Sequence, residues 1–370
     1  MDDHDELTLF LYGDVMTGRG VDQAFARSCP PRLHEPFVTS ALEYVELAER
    51  ANGRIPRPVD HAYVWGNALE VLDETRPTAR IINLETAITT HEDAHPKGIN
   101  YRMHPDNVGV LTVARVDCCM LANNHVLDWG EAGLLEPLDV LAAAGIRVAG
   151  AGRDAATAGA PAIIPAANGT RILVLGLGSA DSGIPQDWAA GRSTPGVALL
   201  RGYTPRSVAE IAAVVDAAKR EGDIVVASIH WGPNWGYEIP REHRRFAHAL
   251  IDDAGVDIVH GHSSHHPKAI EIHHGRPILY GCGDFLNDYE GIRGYEEFRG
   301  DLTLMYLPTL DRRTGRLIRL ELAPLRIRRF RLEHAPAPDR AWLRDTLDRE
   351  CRRFGARIVD RGTRLALEPG

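Results

Sequence analysis

The chain has 370 residues, 44% of them hydrophobic, enough for one large core or two smaller ones. Against 51 Asp and Glu it carries 42 Lys and Arg, a net charge of −9 that disfavours nonspecific nucleic-acid binding and attraction to anionic membranes. Five cysteines, two of them adjacent and none in a CxxC pair, read as buried reduced thiols rather than a disulfide framework or a thiolate zinc knuckle.

The N-terminus, MDDHDELTLFLYGD, is acidic and enters a strand at once, so no signal peptide is expected. No run reaches the roughly 18 apolar residues of a membrane span. These features predict a cytoplasmic protein with no membrane insertion.

Short apolar runs then alternate with helical patterns. Residues 7–14 read as a strand ending in Gly-Asp, 79–85 as one ending in Glu, and 116–125 as one ending in Asn-Asn-His. A helix over 136–145 stops at a glycine, and 146–152 and 171–178 are further strands. The helix over 207–222 leads to a strand over 223–232, and the helix over 243–255 to a strand over 256–262. A strand over 277–285 follows. Residues 301–327 read as a hairpin around Thr-Gly, and 338–354 as a C-terminal helix. Strands alternating with helices predict an α/β protein, and the antiparallel tail makes its sheets mixed. The reading is one domain over 1–330, with a helix and extended tail over 331–370 packing on it. Residues 28–66 and 179–206 look like excursions that line a pocket.

Several strands end in a metal-ligand residue type: Asp14, Glu85, Asn124, His230, and His262 followed by His265. In open α/β sheets, ligands gather beyond the carboxyl ends of strands, so residues distant in sequence would converge on one rim. Two carboxylates, an amide oxygen and three imidazoles suffice for one or two divalent ions, with Mn, Fe or Zn matching the donor set. Each residue also has a plainer reading. Gly13-Asp14 fits a turn, Asn123-Asn124-His125 a helix N-cap, His230 a buried core histidine, and GHSSHHP (261–267) a wet polar loop.

The stretches GDVMTGRGVD (13–22), INLETAIT (82–89), YRMHPDNVGVL (101–111), LANNHVLDWG (121–130), GAGRD (150–154), SIHWGPNWGYEIP (228–240), GHSSHHPKAIE (261–271) and ILYGCGDFLND (278–288) resemble the bacterial CapA family of poly-γ-glutamate capsule biosynthesis. That family is a branch of the calcineurin-like metallophosphatase superfamily. The resemblance implies a four-layer αββα sandwich. It also implies that Asp14 binds one metal and Glu85 bridges two. Asn124, His230 and His262 would complete the second site, and His265 would return to the first. His125 would protonate a leaving group as a cation. Where the wider superfamily has a histidine, this chain has Met16, a poor ligand for Mn or Fe(III), as the CapA branch generally does.

Arg19 could grip a phosphate or carboxylate, or be a solvated surface arginine. His266 could face substrate, and Trp231, Trp235 and Tyr237 could wall a pocket or belong to the core. Asp284 and Asn287 could orient a ligating histidine, and Asp128 reads as a turn cap. Three functions fit these readings. The first is a phosphoesterase acting on a small anionic phosphorylated substrate through metal-activated water. The second is hydrolysis or transfer at a γ-glutamyl amide. The third is a non-catalytic assembly factor with a vestigial metal site.

Overall fold

Alternation along the first strand sets the layering. In β1 (Glu6–Val15) successive side chains point to opposite faces. Leu7, Leu9 and Leu11 enter one apolar cluster, and Phe10 and Tyr12 another. A strand buried on both faces belongs in the middle of a covered sheet. The computed structural model of the chain describes residues 6–166 and 169–370 and puts β1 in that position.

The other strands of the two large sheets, in chain order, are β2 (Ala79–Leu84), β3 (Cys118–Met120), β4 (Arg147–Ala149), β5 (Ala162–Pro165), β6 (Arg171–Gly178), β7 (Ile224–His230) and β8 (Ile258–His262). After them come β9 (Ile270–His273), β10 (Arg276–Leu279), β11 (Asp284–Leu286), β12 (Leu302–Asp311), β13 (Leu317–Arg328), β14 (Arg331–His334), β15 (Ala356–Asp360) and β16 (Leu365–Pro369). The first sheet runs β15-β16-β13-β12-β1-β2-β3-β4, with β11 also on β1 and β14 on β13. Its β1-β2-β3-β4 half is parallel and its β12-β13 half antiparallel. The second sheet runs β9-β10-β8-β7-β6-β5, with β6, β7, β8 and β10 parallel.

Between the sheets lies a core of Leu9, Leu11 and Ile81 from one side and Ile172, Val174, Val226 and Ile258 from the other. The outer face of the first sheet is covered by α1 (Ala41–Asn52), α2 (Asn67–Thr75) and α3 (Gly130–Ala143) through Val45, Val71, Leu72 and Leu134. The outer face of the second is covered by α4 (Pro205–Ala218) and α5 (Arg241–Asp253) through Val208, Ile211, Phe246 and Leu250. This is the αββα sandwich that the resemblance implied. A last helix, α6 (Ala337–Cys351), adds Leu343, Leu347 and Cys351 to the inter-sheet core. All five cysteines are free and buried. Among the described residues no helix is long and apolar enough to cross a membrane.

Some elements differ from the sequence expectation. Residues 277–285, read as one strand, are two: β10 in the second sheet and β11 in the first, with the chain crossing at Gly281-Cys282-Gly283. The crossing needs glycine, because a Cβ on Gly13 would fall 1.6 Å from the Gly283 carbonyl oxygen. The expected strand over 116–125 keeps only Cys118–Met120, and the rest becomes the loop that carries Asn123, Asn124 and His125. The tail beyond α6 is a β15–β16 hairpin that pairs with β13 at Glu321↔Ala366. The helix expected from Glu136 starts earlier, at Gly130.

Candidate metal centre

Asp14 sits near the end of β1, Glu85 just past β2, Asn124 and His125 beyond β3, and His230 and His262 on the last residues of β7 and β8. All six expected ligands meet at this one rim. Asp14 is common to two groups of mutually close ligand atoms, Asp14-His230-His262 and Asp14-His265-Asp284, each within 4.8 Å. The resemblance had implied that Glu85 bridges; in the structure Asp14 is the residue both groups share.

Pairing in register explains the convergence. His230 and His262 stand opposite each other on parallel strands, as do Asp14 and Asp284. His230 Nδ1 lies 2.9 Å from His262 Nδ1 and 3.4 Å from Asn83 Nδ2, and His230 Nε2 lies 3.1 Å from Asn124 Oδ1. Asn83 also donates to Asp14 at 2.7 Å and to Glu85 at 3.3 Å, and Asn123 donates to Asn83 Oδ1 at 3.0 Å.

A buried hydrogen-bond chain sets the tautomer of His262. His260 Nε2–H donates to the Tyr12 carbonyl, leaving Nδ1 to accept from the Ser228 hydroxyl at 3.0 Å. Ser228 Oγ then accepts from His262 Nε2–H at 3.1 Å. His262 Nδ1 is left with a lone pair facing His230. With its Nε2 proton given to Asn124 Oδ1, His230 presents a lone pair as well. Two opposed lone pairs next to Asp14 are what a cation satisfies, so the residues present fit a divalent ion.

The electrostatics agree. Burial, then the nearby Asp284 carboxylate, pushes Asp14 up to about 7, and burial followed by Asp14 raises Glu85. Burial lowers the pKa of His230 and His262, so both rest in the neutral, metal-ligating form. These groups together form a desolvated cluster of carboxylates and neutral imidazoles, an arrangement that a cation stabilises.

His265 uses both ring nitrogens. Nδ1 lies 2.8 Å from Asp284 Oδ1, and Nε2 accepts from Asn234 Nδ2 at 3.0 Å. Asn287 donates to the other Asp284 oxygen at 2.8 Å. Asp284 stands with Asp14 and His265 in the second group of ligand atoms, on the Nδ1 side of the ring. Burial alone would lower the His265 pKa, but the charge of Asp284 outweighs it and the pKa rises.

His125 Nδ1 bonds Asp128 Oδ2 at 2.7 Å, and its Nε2 lies 3.8 Å from Glu85 Oε1. Lys97 Nζ lies 2.8 Å from Asp128 Oδ1 and 3.4 Å from His125, and donates to the Asn124 carbonyl. Burial lowers the His125 pKa to about 4 despite Asp128, so in this setting the ring is neutral near pH 7 rather than the expected cation. Asp128 is the partner of His125 and not merely a turn cap.

Three expected substrate contacts have other roles. Arg19 is 4% exposed. It bonds Asp288 at 2.9 and 2.5 Å and Glu35 at 2.8 Å, and lies 3.6 Å over the Tyr44 ring. Its donors are spent inside the fold, so it is neither a free anion clamp nor a solvated arginine. His266 is fully buried, with Nε2 accepting from the Gly236 amide at 3.1 Å and Nδ1 bonded to the Pro267 carbonyl. Trp231 donates to the Tyr280 carbonyl at 3.0 Å and stacks on His243 at 4.8 Å, inside the core under α5. Each is buried. Met16 is likewise buried and takes the Tyr289 hydroxyl on its sulfur at 3.6 Å.

Asn83, Ser228, His260 and Lys97 were assigned no role from the sequence. Strand periodicity carried a signal for the first three. Asn83 shares a face with Glu85, Ser228 with His230, and His260 with His262, each two positions away. Lys97 had no such signal.

Residues 8–289 match the family model described as "Bacterial capsule synthesis protein PGA_cap". The chain belongs to this family. It is 51% identical, over 98% of this chain and 95% of the relative, to a "Probable polyglutamine synthesis accessory protein" of Mycobacterium tuberculosis. It is 27% identical to the "PGA biosynthesis protein CapA" of Bacillus subtilis, over 90% of this chain and 74% of that one. A solved phosphatase from Mycoplasma pneumoniae aligns over 90% of this chain and 95% of its own, at 15% identity and a TM-score of 0.48. In this PGA_cap protein, the clustered histidines and carboxylates support metal-dependent hydrolase chemistry in general.

Proposed function

We propose that this protein serves the synthesis of a poly-γ-glutamate-type polymer as a metal-dependent enzyme acting at γ-glutamyl amide bonds. The observation that carries the reading is the buried Asp14-centred cluster, found in a chain 51% identical to a relative named for polyglutamine synthesis. Asp14, His230 and His262 would hold one cation, with Asn124 orienting the His230 ring through its Nε2–H. Asp14, His265 and Asp284, with Glu85 close by, would hold the other. A divalent ion supplies Lewis acidity and lowers the pKa of water.

The chain's own residues do the rest. Asp128 keeps the His125 proton on Nδ1, so Nε2 faces the centre with a lone pair. From there His125 takes a proton from the attacking water and delivers it to the departing amide nitrogen, a task worth about 10²–10⁴ in rate. Lys97, 19% exposed at its side chain, offers a positive charge beside the site for an anionic substrate.

A second reading, phosphoesterase chemistry on a small anionic substrate, rests on the two ligand groups meeting at Asp14, since paired ions can clamp a phosphoryl group. The test is to load the purified protein with Mn²⁺, Fe²⁺ or Zn²⁺ and assay a γ-glutamyl anilide, an aryl phosphate and an aryl phosphodiester. Anilide turnover supports the proposal, and ester turnover alone shifts it to the second reading. Absence of turnover with every metal leaves a non-catalytic accessory role.

A further inference from the structure

The second sheet carries another group of histidines, at the end away from the Asp14 centre. β10 runs parallel to β8, so its first residue, Arg276, lies at the end opposite His262. The β9–β10 hairpin turns there through His274 and Gly275, against the C-terminal turn of α5.

His248 and Asp252 are four positions apart on α5 and share one face of the helix. From the hairpin, His273 Nε2 lies 2.9 Å from both Asp252 oxygens, and His274 Nδ1 lies 2.9 Å from Asp252 Oδ1. The His248 ring stacks on His273 at 3.8 Å, and His273 on His274 at 4.1 Å. His248 Nε2 lies 3.0 Å from Glu271, a carboxylate also held by Arg244 and the Tyr280 hydroxyl. Both turn residues have positive φ, 50° at His274 and 81° at Gly275. A two-residue turn of this form favours Asn, Asp or Gly at its first position. Here a histidine stands in that place and meets Asp252.

We propose that Asp252, His273 and His274, with His248 beside them, form a separate Zn²⁺ site that ties the β9–β10 hairpin to α5. Two imidazoles and a carboxylate converging from two elements are a zinc donor set, with a fourth position left for His248 or water. The His274 side chain is 71% exposed, so the ion has an entry path. The C-terminal end of α5 adds a field that favours a cation. The ion also anchors β9, the edge strand of its sheet. The site shares no residue with the Asp14 centre and does not depend on its chemistry.

The experiment uses the full chain, stripped with a chelator, exposed to Zn²⁺ alone and desalted. Retained zinc is counted by mass spectrometry, and the shift of Tm with zinc is followed. His274→Asn installs a residue the turn prefers, so the fold is kept; Asp252→Asn is the second variant. Each is expected to retain one zinc equivalent fewer than the parent and to show a smaller zinc-induced rise in Tm. The double variant His230→Ala/His262→Ala is expected to keep the hairpin equivalent. Parental zinc content in both His274→Asn and Asp252→Asn overturns the site.

Discussion

His125 and Asp128, three positions apart in the loop after β3, form a 2.7 Å hydrogen bond between Nδ1 and a fully buried carboxylate oxygen. The bond aims Nε2 at the Glu85 side of the metal centre. Asp128 is further fixed by the Tyr101 amide at 2.6 Å and by Lys97.

If His125 moves the proton, His125→Ala slows turnover by about 10²–10⁴ while metal content stays near the parental level. Asp128→Asn slows it too, because the ring loses its tautomer and aim. Turnover on the active substrate and metal analysis are made on the same preparations. Metal lost in step with activity would instead make His125 a ligand.

His230→Ala and His262→Ala each remove a lone pair from the same cation and should lower retained metal. Full occupancy in both variants sinks the assignment of that group. His265→Ala should spare this ion and remove the other, a difference visible in metal stoichiometry and in the Mn²⁺ paramagnetic resonance signal.

Ser228 touches no ligand atom that faces the ion, yet it sets the His262 tautomer through His260. Ser228→Ala should weaken metal binding about 10–100-fold, the usual loss for an outer partner of a ligand. Titration with a competing chelator reads this directly; unchanged affinity would mean that the relay is only packing.

Arg19 is expected to act on stability. Arg19→Met leaves Asp288 and Glu35 buried without their cation, a loss on the order of 3–5 kcal/mol in denaturant unfolding. A raised KM with undiminished stability would return Arg19 to the substrate.

Asp181 gives a pH signature from a carboxylate outside the two ligand groups. Burial alone would raise its pKa, but His243 at 2.7 Å, the Gly232 amide at 3.1 Å and the Tyr203 hydroxyl at 2.8 Å hold it well below the ordinary 3.8. In the unfolded chain the group takes up its proton first as pH falls, so its stabilising effect is present above pH 3.8 and is lost as pH drops through the folded-state pKa. Asp181→Asn should therefore be less stable than the parent at pH 7, by about 0.5–1 kcal/mol, because solvent screens this 38% exposed side chain. The gap should narrow below pH 3.8. A gap constant from pH 7 to pH 3 would falsify this.

Period-two alternation and the residue at each strand end were enough to foresee a covered α/β sheet and a rim bearing Asp14, Glu85, Asn124, His230, His262 and His265. Both are local properties: a strand's pattern states which faces are buried, and its last residue faces the rim wherever the strand lies. The sequence could not reveal that residues 277–285 leave one sheet for the other, because Gly281 and Gly283 carry no side chain to report which neighbour they approach. Nor could it show that Arg19 turns inward to Asp288, 269 positions away, or that Ser228 links two histidines. Those outcomes depend on which strands lie side by side. Pairing in register across the β7–β8 and β1–β11 boundaries decides whether a polar side chain meets a cation, a carboxylate or a wall of apolar groups.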